Sequence, residues 1–278
     1  MIPRVKKLDL SPGRFNILIE VVPPAGPDAV PLLATLQSLD ELSFYGFSVA
    51  TNPVAKPRMS AMALCTLIQQ HIRRPAILHC TTRDHNRLSL QGMLWGARAM
   101  GIQTVMAATG DMVAFQDKHI TTTVRDADVF SLVRLARESG LQTGVVFDPH
   151  PESNGLKQAV ARLVRKADAG AQYAVTQPVY DEKAADMLAE ALRHINLPIL
   201  MGILPLRTRR HAAFLHEKVA GITVPKDLRN RMAQAPDPVA EGNANARNML
   251  AVARRRFAGA CIMPPFDHYE ILSDIFQA

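Results

Sequence analysis

The chain has 278 residues, 48% of them hydrophobic and 21% charged, enough apolar material for one large core and too much for intrinsic disorder. Its formal charge is +7, but the basic residues fall in short runs such as Arg207, Arg209, Arg210 and 254–256, and aromatic side chains make up only 5%. Such runs read as solvated helix faces, and stacking on bases has little to work with, so an anionic small molecule is expected and a nucleic acid is not.

From Asn16 onward, short β-branched apolar runs alternate with longer amphipathic stretches, the pattern of repeated β-α units around a parallel sheet. Strands are expected at 16–22, 46–50, 76–81, 104–109, 143–148, 173–177, 199–203 and 260–263. Helical patterns run over 88–100, 129–139, 156–169 and 182–195, and Gly101, Gly140 and Gly170 close three of them. The stretch 225–257 is too long for one helix; Pro236 and Pro238 divide it into a short and a longer one. Eight units suit a single-domain (β/α)8 TIM barrel over 1–278, since a barrel of about 250 residues is a common solution at this length. An open doubly wound sheet is the alternative, and no Gly-x-Gly-x-x-Gly or Gly-x-x-x-x-Gly-Lys-Ser/Thr run speaks for it.

Cys65, Cys80 and Cys261 are odd in number and widely spaced, so neither a disulfide framework nor a zinc ribbon is expected. The apolar run 17–22 is interrupted by Glu20 and far too short to span a bilayer, and no leader pattern precedes it. A cytoplasmic protein with no membrane partner is expected.

In such a barrel the reactive groups gather at the C-terminal strand ends. The polar residues there are Glu20, His79, Asp111 after Thr109-Gly110, His150 and Glu152 after Asp148, and Thr176-Gln177. A carboxyl inside an apolar strand is either paired or shifted toward its neutral form, and a carboxyl neutral near pH 7 can act as a general acid. Glu20 therefore reads as a general acid or as half of a structural ion pair. Asp111 equally suits a helix cap, and His79 and His150 suit hydrogen-bonded structural histidines. No tight ligand spacing points to a metal.

Taken in order, these residues resemble the methylenetetrahydrofolate reductase family over nearly the whole chain. The likeness is carried by Glu20-Val21-Val22-Pro23-Pro24, the His79 strand, Thr109-Gly110-Asp111 and His150-Pro151-Glu152. Arg162 to Ala171, Thr176-Gln177 and Gly202-Ile203-Leu204-Pro205 continue it. The stretches 52–58 and 263–266 look most like the short branch that lacks a regulatory domain. Ala50, Thr109, Val146 and Ala159 depart from the better-known bacterial pattern.

The resemblance implies a flavin, FAD ahead of FMN, lying across the strand ends and passing hydride between N5 and a folate-bound one-carbon unit. It implies interconversion of 5,10-methylenetetrahydrofolate and 5-methyltetrahydrofolate, and leaves the electron donor open between NADH, NADPH and a partner protein. Glu20 matches the general acid, Asp111 a residue that touches the pterin and tunes the flavin, and Gln177 a folate-binding residue. His79, Thr109, Gly110, Asp111, His150, Arg162 and Lys166 match flavin contacts. The partners implied are tetrahydrofolate derivatives; a homo-oligomer and an electron-delivering partner subunit both stay open. A flavin-free pterin barrel in corrinoid-linked methyl transfer is the rival, and it has no use for Arg162 and Lys166.

Overall fold

The structure is a computed structural model that describes residues 5–148, 155–219 and 221–277. Eight strands, β1 (Asn16–Val21), β2 (Gly46–Val49), β3 (Ala76–Thr81), β4 (Thr104–Ala108), β5 (Gln142–Phe147), β6 (Tyr173–Pro178), β7 (Ile199–Ile203) and β8 (Gly259–Ile262), pair in sequence order, all parallel, and β8 returns to β1. The barrel is closed, which settles the choice against an open sheet. Every expected strand is present, with no end displaced by more than one residue.

Around it run α1 (Val30–Gln37), α2 (Ala61–His71), α3 (Arg87–Ala99), α4 (Val129–Glu138), α5 (Gly155–Asp168), α6 (Glu182–Leu192), α7 (Arg209–Lys218), α8 (Lys226–Gln234), α9 (Pro238–Arg256) and α10 (Leu272–Phe276). Helix starts are specified locally: Asn86, Asp128, Asp181, Thr208 and Asp237 each accept a first-turn backbone N–H. Gly101, Gly140 and Gly170 adopt φ of +79°, +76° and +112°, and the residue after each bonds back five positions, closing α3, α4 and α5. The stretch after residue 225 divides into α8 and α9, with Asp237 capping α9 and Pro238 opening it.

The helices bury their apolar faces against the outside of the strands, and a second set of side chains fills the inside. Leu18, Ile77, Met106, Tyr173, Leu200 and Cys261 pack the lower barrel, and Leu8 plugs its floor. Leu8 exchanges two hydrogen bonds with the Gln142 side chain, at 2.8 and 2.9 Å, which satisfies both in a buried place. Gly144 lies directly across from Tyr173, and a Cβ there would fall 2.2 Å from the ring. The ring takes the space that any other residue at 144 would need. Leu8 and Gln142 thus close the floor, and the C-terminal end is the open one.

Candidate active site

Between β6 and β7 the register shifts from Val175 to Pro178. Thr176 fills the gap in the ladder, its Oγ1 accepting from the Gly202 N–H at 3.0 Å and donating to the Gln177 carbonyl at 2.8 Å. Bulges re-aim side chains at barrel rims, and this one sets Gln177 into the mouth.

Gln177 there joins Glu20 from β1, Ser48 from β2, His79 from β3 and Asp111 from the loop after β4, around a cavity of about 250 Å³. With Gly110, which also lines it, five of the expected site residues thus come together. Enclosure in the barrel mouth, and then the Asp111 carboxylate, push the Glu20 carboxyl up from 4.5 to about 7. Burial carries His79 down to about 4, so its ring is neutral near pH 7, and Nε2 lies 2.7 Å from Ser48 Oγ. One neutral donor-acceptor and one half-protonated carboxyl therefore share a small space of mixed polar and apolar lining.

Asp111 is held by the rim. Val54 donates its backbone N–H to Asp111 Oδ2 at 2.5 Å, from a turn in which Asn52, Val54 and Ala55 have φ of +43°, +50° and +55°. Left-handed backbone at a β-branched residue costs on the order of 1–3 kcal/mol and is tolerated where the surroundings over-determine it. The Lys56–Asp117 ion pair, at 2.7 Å, ties the same turn to the loop after β4. Gly110 has φ +89°, and a Cβ there would lie 3.0 Å from Arg83 Cβ and 3.2 Å from Thr81 Cβ.

Beside the cavity runs a longer groove of about 940 Å³, and Gly110 and Asp111 line both. Thr109, Lys118, the threonines 121–123, Arg125 and Arg162 line the groove alone. Lys166, one turn after Arg162, is instead buried: Nζ donates to the Val146 carbonyl at 2.6 Å, and burial, then Arg162, lower its ammonium to about 8. The two cations are neighbours on α5 yet serve different spaces. His150 and the turn to Glu152 lie outside the described residues.

Two residues that sequence reading passed over matter here. Arg83 is only 3% exposed, and its guanidinium grips Asp84 through Nε and Nη2, both at 2.6 Å. An adjacent Arg-Asp pair directly after a strand was the available signal. Cys65, Cys80 and Cys261 are buried thiols. Among the described residues, no three His, Cys, Asp or Glu side chains are grouped to hold a metal, and no helix is long and apolar enough to cross a membrane.

Fold and site together define a (β/α)8 barrel with a polar, carboxyl-bearing pocket at its C-terminal mouth and, beside it, a larger groove lined by both cationic and acidic side chains. A sequence profile of the methylenetetrahydrofolate reductase family matches residues 5–255, and the chain belongs to that family. Among curated relatives, 5,10-methylenetetrahydrofolate reductase of Pectobacterium carotovorum is 25% identical over 197 residues, 70% of this chain and 65% of the relative. Probable methylenetetrahydrofolate reductase (NADPH) of Caenorhabditis elegans is 27% identical over 47% of this chain and 20% of its own length. A Schizosaccharomyces pombe relative, methylenetetrahydrofolate reductase 2, is 26% identical over 69% and 33%. The chain thus spans between a fifth and two-thirds of the lengths of these relatives. Among solved structures, a Clostridium thermocellum protein described as binding two copies of 5-methyl-5,6,7,8-tetrahydrofolic acid superposes with a TM-score of 0.66. It is 13% identical and covers 94% of this chain and 93% of its own, a likeness of fold.

Proposed function

We propose that the chain interconverts 5,10-methylenetetrahydrofolate and 5-methyltetrahydrofolate, with Glu20 as general acid and a flavin, FAD ahead of FMN, as hydride carrier. The observation that carries this reading is the Glu20 carboxyl, raised to about 7 in a cavity shared with Asp111 and Gln177. A carboxyl with that affinity is protonated often enough at neutral pH to give a proton and basic enough afterwards to take one back.

The groove suits a dinucleotide flavin. Its threonine hydroxyls, Lys118, Arg125 and Arg162 are donors of the kind a pyrophosphate accepts from, set alongside the carboxylates Asp126 and Asp128, and Gly110, where a Cβ would crowd its neighbours, leaves bare backbone where groove and cavity meet. A flavin bound there supplies the hydride at N5. The chain's own part is to hold and protonate. Gln177 offers an amide to the pterin, and Glu20 gives its proton to the folate nitrogen released when the five-membered ring opens. Asp111 keeps a negative charge beside the cationic iminium that results, and neutral His79 adds no charge of its own. A nicotinamide nucleotide, NADH or NADPH, is the donor in this reading.

A second reading is favoured by one observation. The Clostridium thermocellum protein binds two folates, and the 940 Å³ groove here has room beside the cavity for a second ligand. On that reading the chain is a flavin-free pterin binder. The absorbance spectrum of the purified protein, before and after adding FAD, decides between them. Flavin bands, followed by bleaching with NADH or NADPH and reoxidation by methylenetetrahydrofolate, support the reductase; a colourless protein that takes up no flavin overturns it.

A further inference from the structure

Arg83 is bonded to three separate rim segments at once. Its Nη1 donates to the Asp111 carbonyl at 3.0 Å and its Nη2 to the Asn52 carbonyl at 3.1 Å. Its backbone N–H donates to the Thr109 carbonyl at 3.0 Å, and its own carbonyl accepts from Val124 at 2.9 Å. Asp84 orients the guanidinium through two contacts and also accepts from Asn52 Nδ2 at 3.1 Å and Thr81 Oγ1 at 3.2 Å. The Asn52 turn and the Asp111 turn, 59 positions apart by number (111 minus 52), are thereby braced against one buried fork. The Asn52 turn in turn presents the Val54 N–H to the Asp111 carboxylate.

We propose that Arg83 is a positioning residue for this site, holding the Asn52 turn and the Asp111 turn together so that the Asp111 carboxylate stays beside Glu20. A planar guanidinium reaches a carboxylate and two carbonyls in fixed directions, which an ammonium on a flexible stem does not. The inference rests on the proposed roles of Glu20 and Asp111. Four titratable groups face or share the space of Glu20: Asp111 from the loop after β4, His79 from β3, Cys261 from β8 and Tyr269 before α10. Of these, Asp111 is the one that Arg83 holds. Loosening the fork therefore acts on Glu20 by letting a like charge move away, which lowers the pH at which Glu20 loses its proton.

The experiment follows Glu20 directly by carbon-13 NMR of glutamate-labelled protein, with Glu20→Gln as the assignment control, in wild type, Arg83→Lys, Asp111→Asn and the double variant. Arg83→Lys keeps the charge and loses the fork. It is expected to move the Glu20 titration down by roughly half a unit, and Asp111→Asn by about one unit. Added to Asp111→Asn, Arg83→Lys is expected to move it no further, because residues acting through one contact are not additive. A Glu20 titration unmoved in Arg83→Lys, or moved equally with and without the Asp111 carboxylate, overturns the proposal. If Arg83→Lys does not fold, Asp84→Asn, which slackens the same fork, replaces it in the same cycle, with the same two results deciding. The catalytic reading is tested apart, by the pH limb of folate reduction: a Glu20 titration that obeys the cycle but leaves no limb in the rate sinks the general acid and keeps the positioning role. A limb that ignores Arg83 does the reverse.

Discussion

Lys166 Nζ donates to the Val146 carbonyl at 2.6 Å, while Arg162, one turn earlier on α5, lines the open groove with its guanidinium 5.3 Å from the Phe130 ring. Adjacent cations on one helix face therefore separate into a groove residue and a barrel brace. Arg162→Ala is expected to weaken flavin retention by the roughly 1.5–3 kcal/mol of a charge-assisted contact and to leave the melting temperature nearly unchanged. Lys166→Met is expected to lower the melting temperature by a few degrees through the unpartnered Val146 carbonyl. Flavin titrations and melting curves on both variants check this; identical behaviour of the two would place them in one role.

Glu20→Gln is expected to leave a folded, flavin-loaded barrel that its nucleotide donor still reduces, because that half-reaction needs no proton at the folate nitrogen. Reoxidation by methylenetetrahydrofolate is expected to fall by at least the roughly 10²-fold typical of a lost general acid. Stopped-flow measurement of the two halves separates this from a structural role. Equal loss in both, with a lowered melting temperature, removes Glu20 from the mechanism.

Glu20 and His79 make the stability of the ligand-free protein depend on pH with opposite signs. The Glu20 carboxyl is raised from 4.5 to about 7, so its contribution is whole below 4.5 and is lost as pH rises through 7. The His79 ring is lowered from 6.5 to about 4, so its contribution is whole above 6.5 and is lost as pH falls through 4. Each is worth about 3 kcal/mol across its window. The two windows overlap between pH 4.5 and 6.5, where the opposite slopes offset each other, so melting curves from pH 4 to 8 are expected to show stability rising from about pH 4 to 6.5 in Glu20→Gln and falling from about pH 4.5 to 7 in His79→Asn. Curves parallel to wild type in either variant contradict the corresponding shift.

Gly110→Ala introduces a Cβ at φ +89° and 3.0 Å from Arg83. The cost expected is about 1–3 kcal/mol for the backbone conformation, with Asp111 displaced from its contact with Val54. Folate turnover is expected to fall more steeply than flavin affinity. Unchanged turnover in a folded variant shows that the turn has no such constraint.

Gly144→Ala places a methyl 2.2 Å from the Tyr173 ring, and the barrel interior has nowhere to send it. A loss above about 4 kcal/mol is expected, in the range of severe core defects. Tyr173→Leu in the same chain is expected to restore part of it by vacating the ring's space. Failure of the pair to recover any stability over Gly144→Ala alone argues against that packing.

Strand and helix placement was legible in the chain because both are written locally. Runs such as 76–81 and 199–203 are apolar enough for burial on both faces, and Gly101, Gly140 and Gly170 can end helices at positive φ wherever they occur. Glu20 was legible too, as an ionisable group in an apolar strand. What barrel closure decided lay beyond any window of neighbours. It brought Leu8 onto Gln142, 134 positions away, and Tyr173 into the space beside Gly144. It turned Lys166 toward Val146 while Arg162 kept the groove, and set Arg83 at the junction of Asn52, Asp111 and Val124. Periodicity and capping sum the preferences of residues a few positions apart, whereas a side chain's partner at the strand ends depends on which loops the closed ring of strands makes adjacent. Eight β-α units and an out-of-place carboxyl can be read from neighbours along the chain; that Asp111 is held beside that carboxyl follows from closure of the barrel.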